Sequence, residues 1–163
     1  MTRLLASLAL LGLLFFTSAC SKTEKVAETL PVDEGLVLEY DAAEMEKAVA
    51  TARTRVGEFI TALAKGDAES YSVNVPISDV NGSEQFWVGA VTYKDGQFTG
   101  RIGNDPEIVQ TVKNGQAWTA SQEEISDWMF TVDGKIHGGF TIDPLLATYP
   151  KEEADALRAK LVR

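Results

Sequence analysis

The hydrophobic period of this chain changes once, at Gly66, and that change constrains the fold more than any other feature. Before it, Met45, Ala48, Val49, Ala52, Val56, Phe59, Ile60 and Leu63 recur at spacings of three, four and one. That spacing predicts one amphipathic helix over 42–65. Asp41 followed three residues later by Glu44 has the form of a capping box, and Lys65-Gly66 supplies a C-terminal stop. Glu46, Lys47, Arg53, Arg55 and Glu58 lie mostly off the stripe and read as a solvated face.

After Gly66 the period falls to two. Tyr71, Val73, Val75 and Ile77 alternate with Ser72, Asn74 and Pro76, and the proline marks an edge strand or its end. Phe86 to Tyr93 is apolar on both parities, which predicts a central strand. Asp95-Gly96 is a hairpin signal that would pair Tyr93 with Phe98, Val91 with Gly100 and Gly89 with Ile102. That register puts Trp87, Tyr93 and Phe98 on one face. Asn104-Asp105-Pro106-Glu107 reads as a turn into a short helix, and Gln116 to Ala120 as a short strand. Ser121 and Glu124 repeat the capping-box form. Trp128 to Val132 and Lys135 to Ile142 form a second hairpin around Asp133-Gly134, with Trp128 opposite Gly139 and Phe130 opposite His137. A last helix opens at Pro150, with acids early and bases late. The expected class is α+β: one long N-terminal helix on a curved antiparallel sheet of about five or six strands, with a short C-terminal helix.

The N-terminus is an address. Arg3, an apolar run from Leu4 to Phe16 and the small residues before Cys20 describe a secretory signal peptide, too short for a comfortable membrane span. Thr17-Ser18-Ala19-Cys20 resembles the lipobox of bacterial lipoproteins, which implies cleavage before Cys20 and acylation there. Ser21 in place of aspartate resembles an outer-membrane sorting signal if the source is Gram-negative. The organisation expected is a signal peptide over 1–19, a lipidated cysteine and tether over 20–40, a domain over 41–144 and a helical extension over 145–163. Leu36-Val37-Leu38 would dock on the domain as an edge strand.

Composition excludes several functions. Cys20 is the only cysteine and His137 the only histidine of 163 residues, so neither a disulfide framework nor a multi-cysteine zinc site can form. A net charge of −9 argues against non-specific nucleic-acid binding, because phosphate contacts need clustered Lys and Arg. No metal-ligand spacing or phosphate loop is present, and no cofactor is expected. Glu84, Asp127 and Asp143 border strands, and a carboxylate with His137 could act as acid and base. The competing reading gives Asp127 a structural role at a strand start. Glycines opposite Trp128 leave room either for a ligand or for close backbone packing.

Five segments, namely Glu84 to Val88, Phe98 to Pro106, Val112 to Gln116, Ile125 to Met129 and His137 to Thr141, resemble in that order the YegJ-like family, domain of unknown function 2314. The likeness covers roughly 44–143 and implies a small bacterial α+β domain with no catalytic residues to transfer.

The function expected is that of a lipid-anchored module of the bacterial envelope, facing the periplasm from the outer membrane in a Gram-negative cell. It would bind an envelope protein, peptide or glycan through a cleft containing Trp87, Asn104, Asp127, Trp128, His137 and Phe140. The alternative is a small hydrolase or isomerase using Asp127 or Glu84 with His137.

Overall fold

The computed structural model describes residues 40–162. The leader, Cys20, the tether and residues 36–38 lie outside the described residues. Within them the chain is α+β, with four α-helices and a seven-stranded mixed sheet. The helices are α1 (Ala42–Thr54), α2 (Val56–Lys65), α3 (Ile142–Leu145) and α4 (Lys151–Arg158). The strands are β1 (Ser70–Asp79), β2 (Gly82–Lys94), β3 (Gln97–Ile102), β4 (Ala117–Ser121), β5 (Asp127–Val132), β6 (Lys135–Gly138) and β7 (Leu161–Val162). Their order is β4-β3-β2-β1-β5-β6-β7, antiparallel throughout except for β6 with β7. The sheet therefore exceeds the expected strand number. The additional strand is the parallel β7, which two residues at the end of the chain supply.

The single helix expected over 42–65 is two helices broken at Arg55, and a side chain from the sheet explains the break. The Trp128 indole N–H donates to the Ala52 carbonyl at 2.8 Å. In an unbroken helix that carbonyl would accept from the amide of residue 56. A side chain inserted into the ladder is a recognised cause of a kink. Thr51 and Thr54 hydroxyls also bond back to the carbonyls of Lys47 and Ala50, which bends a helix further. Asp41 does cap α1, accepting from Ala43 and Glu44 amides, and Gly66 closes α2 in the left-handed conformation.

β1 is central and runs on to Asp79, whereas Pro76 suggested an edge strand or the strand's end. Register resolves the conflict: β5 pairs with β1 only from Ser70 to Asn74, while β2 runs alongside to Asp79. Pro76 therefore lies past the end of β5, where one side of β1 has no ladder to break. The register also sorts the faces. Tyr71, Val73 and Val75 share a face with Phe130, with Trp128 and Val88, and with Phe86. Phe59 of α2 packs on this face, its ring 5.6 Å from Trp128, 5.7 Å from Phe98 and 6.1 Å from Tyr71.

A bulge in β2 corrects the first hairpin. Tyr93 pairs with Phe98 as expected, but Val88, not Gly89, stands opposite Ile102. The register shifts between Gly89 and Thr92, where Ala90 takes a positive φ of 51°. One extra residue reverses parity, so Phe86 and Val88 share the core face with Tyr93 and Phe98, and Trp87 points to the other. Apolar residues on both parities of β2 are the signature of this bulge. Gly100 opposite it is obligatory, since a Cβ there would sit 2.4 Å from the Gly89 carbonyl oxygen.

Two further expectations change. The segment after Asn104 is not helical. Instead Glu84 accepts from the amides of Glu107, Ile108 and Val109, and Asp79 from that of Gln110, so carboxylates from the β1–β2 hairpin hold these amides. The second hairpin strand ends at Gly138, not Ile142. Gly138 and Gly139 have φ of +80° and +65° and turn the chain into α3, which contains Pro144. Phe130 does pair with His137, and the Gly139 amide donates to the Trp128 carbonyl at 2.8 Å.

Gly138 shows what its missing side chain permits. A Cβ would lie 2.3 Å from the Trp128 carbonyl oxygen and 2.5 Å from its ring carbon Cε3. Gly138→Ala should therefore destabilise by roughly 2–4 kcal/mol, through overpacking and left-handed strain together. Gly57→Ala, where nothing lies within 4 Å, should stabilise by about 0.5–1 kcal/mol. Urea midpoints of the two variants check both signs, and a neutral Gly138→Ala would refute this packing.

Candidate functional site

A cleft of about 490 Å³ opens beside the row in which Trp87, Asn74 and Asp127 stand opposite one another on three adjacent strands. This row belongs to the face turned away from Val73 and Val75. Met45 and Val49 of α1, Ile142 and Leu145 of α3, and Tyr40 form apolar walls. Asn74, Gln85, Trp87, Asn104, Ser126 and Thr141 complete the lining. No charged side chain among the described residues lines it.

Most of the polar groups hold one another. Asn104 accepts the Trp87 backbone amide at 3.0 Å, while the Gly103 amide donates to the Trp87 carbonyl at 2.8 Å, so the loop after β3 clasps β2 at this residue. Ser126 donates its hydroxyl to Gln85 Oε1 at 3.0 Å, and its amide donates to the Asn74 carbonyl. Thr141 donates both its amide and its hydroxyl to Asp127 Oδ2, at 2.8 and 2.7 Å. The Asn74 carboxamide differs. Asn74 is 6 % exposed, and among the described residues nothing hydrogen-bonds its side chain. The Gln85 amide nitrogen and the Trp87 indole N–H likewise have no partner among the described residues. No buried side-chain nitrogen or oxygen among the described residues lacks a partner, so these groups meet the solvent of the cleft, where a ligand can take the place of water.

The family described as "Uncharacterized protein conserved in bacteria (DUF2314)" matches residues 42–161. The chain belongs to this family. Its domain includes the C-terminal segment that the sequence motifs had left outside. A relative in Escherichia coli K12, "Uncharacterized protein YegJ", is 51 % identical over 156 residues, covering 96 % of this chain and 97 % of that protein. A putative ankyrin repeat protein of Neisseria meningitidis serogroup B is 34 % identical over 71 residues, covering 43 % of this chain and 28 % of that protein. No solved structure is significantly similar to the chain.

Of the residues that the sequence nominated for a cleft, the structure brings Trp87 and Asn104 into it. Trp128 and Phe140 are buried in the core, with Trp128 1 % exposed, so the glycines beside the indole admit backbone and not a ligand. Asp127 is fully buried behind the cleft and reaches it only through Thr141. His137 stacks flat on Phe130, with ring centroids 4.8 Å apart. Glu84 is occupied by the loop amides. Each candidate for acid–base chemistry thus has a structural task, and the register sets Glu84 opposite Ile77, Asp127 opposite Asn74 and His137 opposite Phe130. Asn74, Gln85, Met45 and Val49 were missed as site residues. The available signal was Asn74 itself, a carboxamide in the middle of an apolar strand.

The two carboxylates titrate in opposite senses. Burial raises Asp127 above its ordinary value, against the opposing pull of the Thr141, Trp128 and Phe140 hydrogen bonds. Above 3.8 its folded state therefore holds a proton that the unfolded state has released, and stability falls as pH rises toward the folded value. Backbone amides, that of Ile108 foremost, lower Glu84, so its contribution is present above 4.5 and lost as pH falls. The melting temperature of wild type minus Asp127→Asn should decrease with rising pH. The same difference for Glu84→Gln should increase. Equal slopes in a melting series from acid to neutral pH would contradict this assignment.

Proposed function

We propose that this protein is a lipid-anchored binding module of the bacterial cell envelope, which holds its ligand in the cleft beside Trp87 and Asn74. The cleft carries the reading. It combines apolar walls with a few polar groups, the composition usual for a binding site. Its Asn74 carboxamide is not hydrogen-bonded by the described residues and meets the solvent of the cleft, where a ligand could replace water. Membrane attachment rests on the sequence Thr17-Ser18-Ala19-Cys20 behind an apolar leader. Acylation at Cys20 would provide that attachment, since each buried methylene contributes about 0.8 kcal/mol. No helix among the described residues is long and apolar enough to cross a membrane. Ser21 favours the periplasmic face of the outer membrane in a Gram-negative cell. No observation favours the hydrolase or isomerase alternative, because its acids and its histidine are separately engaged.

The anchor and the cleft are tested separately. Labelled palmitate should enter the wild-type protein in growing cells and not Cys20→Ala, and equal labelling would refute lipidation at that residue. A photoreactive amino acid at Met45, in the cleft wall, should cross-link to an envelope component. The same group at Val80, fully exposed in the β1–β2 turn, should not. Identical cross-linking at both positions would refute the cleft as the binding site.

A further inference from the structure

We infer that the ligand of this cleft is an extended, uncharged peptide segment with apolar side chains, read by the Asn74 carboxamide. The inference rests on the binding role just proposed and names the ligand's chemistry.

The groups left unpaired define a short recognition pattern. Asn74 offers one acceptor and one amide donor side by side on a side chain that is 6 % exposed. An extended residue turns its own N–H and C=O to the same side of the chain, as residues do across an antiparallel ladder. One carboxamide can meet both at once. Gln85 contributes an amide donor, because its oxygen already accepts from Ser126. Trp87, opposite Asn74 in the register, contributes an indole donor. These two donors suit the carbonyls of neighbouring residues in the same segment. Met45 and Val49 of α1 and Ile142 and Leu145 of α3 then receive the segment's apolar side chains.

Charge sets ionic ligands apart, and the paired donor and acceptor of Asn74 favour a peptide backbone over a glycan. With no charged side chain among the described residues of the lining, an ionic ligand group would lose its hydration without compensation. A glycan could also use the Ser126 and Thr141 hydroxyls as acceptors, but it lacks the paired N–H and C=O that one carboxamide meets at once, and the experiment separates the two.

The test uses the full-length, isotope-labelled protein in detergent. The probe is a pentapeptide of alternating leucine and alanine, capped at both ends so that it bears no charge. Comparison ligands are the same peptide with lysine for leucine, and chitotriose. The leucine peptide should shift the side-chain amide signals of Asn74 and Gln85 and the indole signal of Trp87, and the other two should not. Asn74→Ala should weaken binding about tenfold or more, the loss of two hydrogen bonds. The wild-type side-chain signals give the answer even if that variant folds poorly. Shifts of these signals by chitotriose and not by the peptide would overturn the peptide assignment and leave the cleft as a binding site. Peptide-induced shifts confined to residues outside the cleft would overturn both readings.

Discussion

The indole of Trp128 joins the two halves of this fold. Its ring lies in the core between Phe59 of α2 and Phe140 after β6, with centroids 5.6 and 5.4 Å away. Its N–H reaches the Ala52 carbonyl at the end of α1. A buried indole without a partner for that N–H would be penalised, and the Ala52 carbonyl just before the break is open to accept it. The break at Arg55 satisfies the indole and lets α1 and α2 take different directions. Gly138 then packs its backbone against the indole ring, which a side chain would prevent. The Asp127 carboxylate, next in the chain, accepts the Trp128 amide and holds Thr141. One tryptophan and its neighbour therefore fix the helix break, the turn after β6 and the start of α3.

That arrangement also positions the cleft. Met45 and Val49 project from α1, the half of the helical region above the break, while Ile142 and Leu145 come from α3. Both walls are set by groups that Asp127 and Trp128 hold, yet neither of these residues lines the cleft. Their burial and the openness of Trp87 follow from alternation along strands in register. Val73 pairs with Trp128 on the core face, and the next residue, Asn74, pairs with Asp127 and Trp87 on the other.

Local signals in the sequence were sufficient for local structure. The Asp41 cap, the Gly66 stop, the Asp95-Gly96 and Asp133-Gly134 turns and the Phe130–His137 pairing all follow from neighbouring residues, and all are present. The errors arose where distant parts of the chain decide. The helix break depends on Trp128, 76 residues away from Ala52. The loop over 107–110 is held by Glu84 and Asp79 across the β1–β2 hairpin, so a helical turn in its own sequence was not needed to satisfy its amides. Pro76 looked like an edge marker because nothing in its neighbourhood tells how far β5 extends. The parity of β2 misplaced Trp87 because apolar residues on both parities read as a strand covered on both faces, not as a bulge at Ala90. For the site, Trp87 and Asn104 were legible as a tryptophan on a strand and an amide at a turn. Asn74 was not, because a strand assigned to the edge would have a solvated polar face.

The central position of β1 gives Asn74 its significance. On an edge strand, water would satisfy its carboxamide, and the residue would say little. Inside a sheet, with β2 on one side and β5 on the other, its carboxamide meets solvent in the cleft. Asp127, its neighbour across β5, shows the contrasting outcome. It is buried more completely, yet Trp128 and Thr141 supply donors to both of its oxygens. The fold thus satisfies the buried acid from within and leaves the adjacent amide open to the cleft. Asn74 is thereby available to a partner from outside, and its neutrality matches a lining with no charged side chain among the described residues.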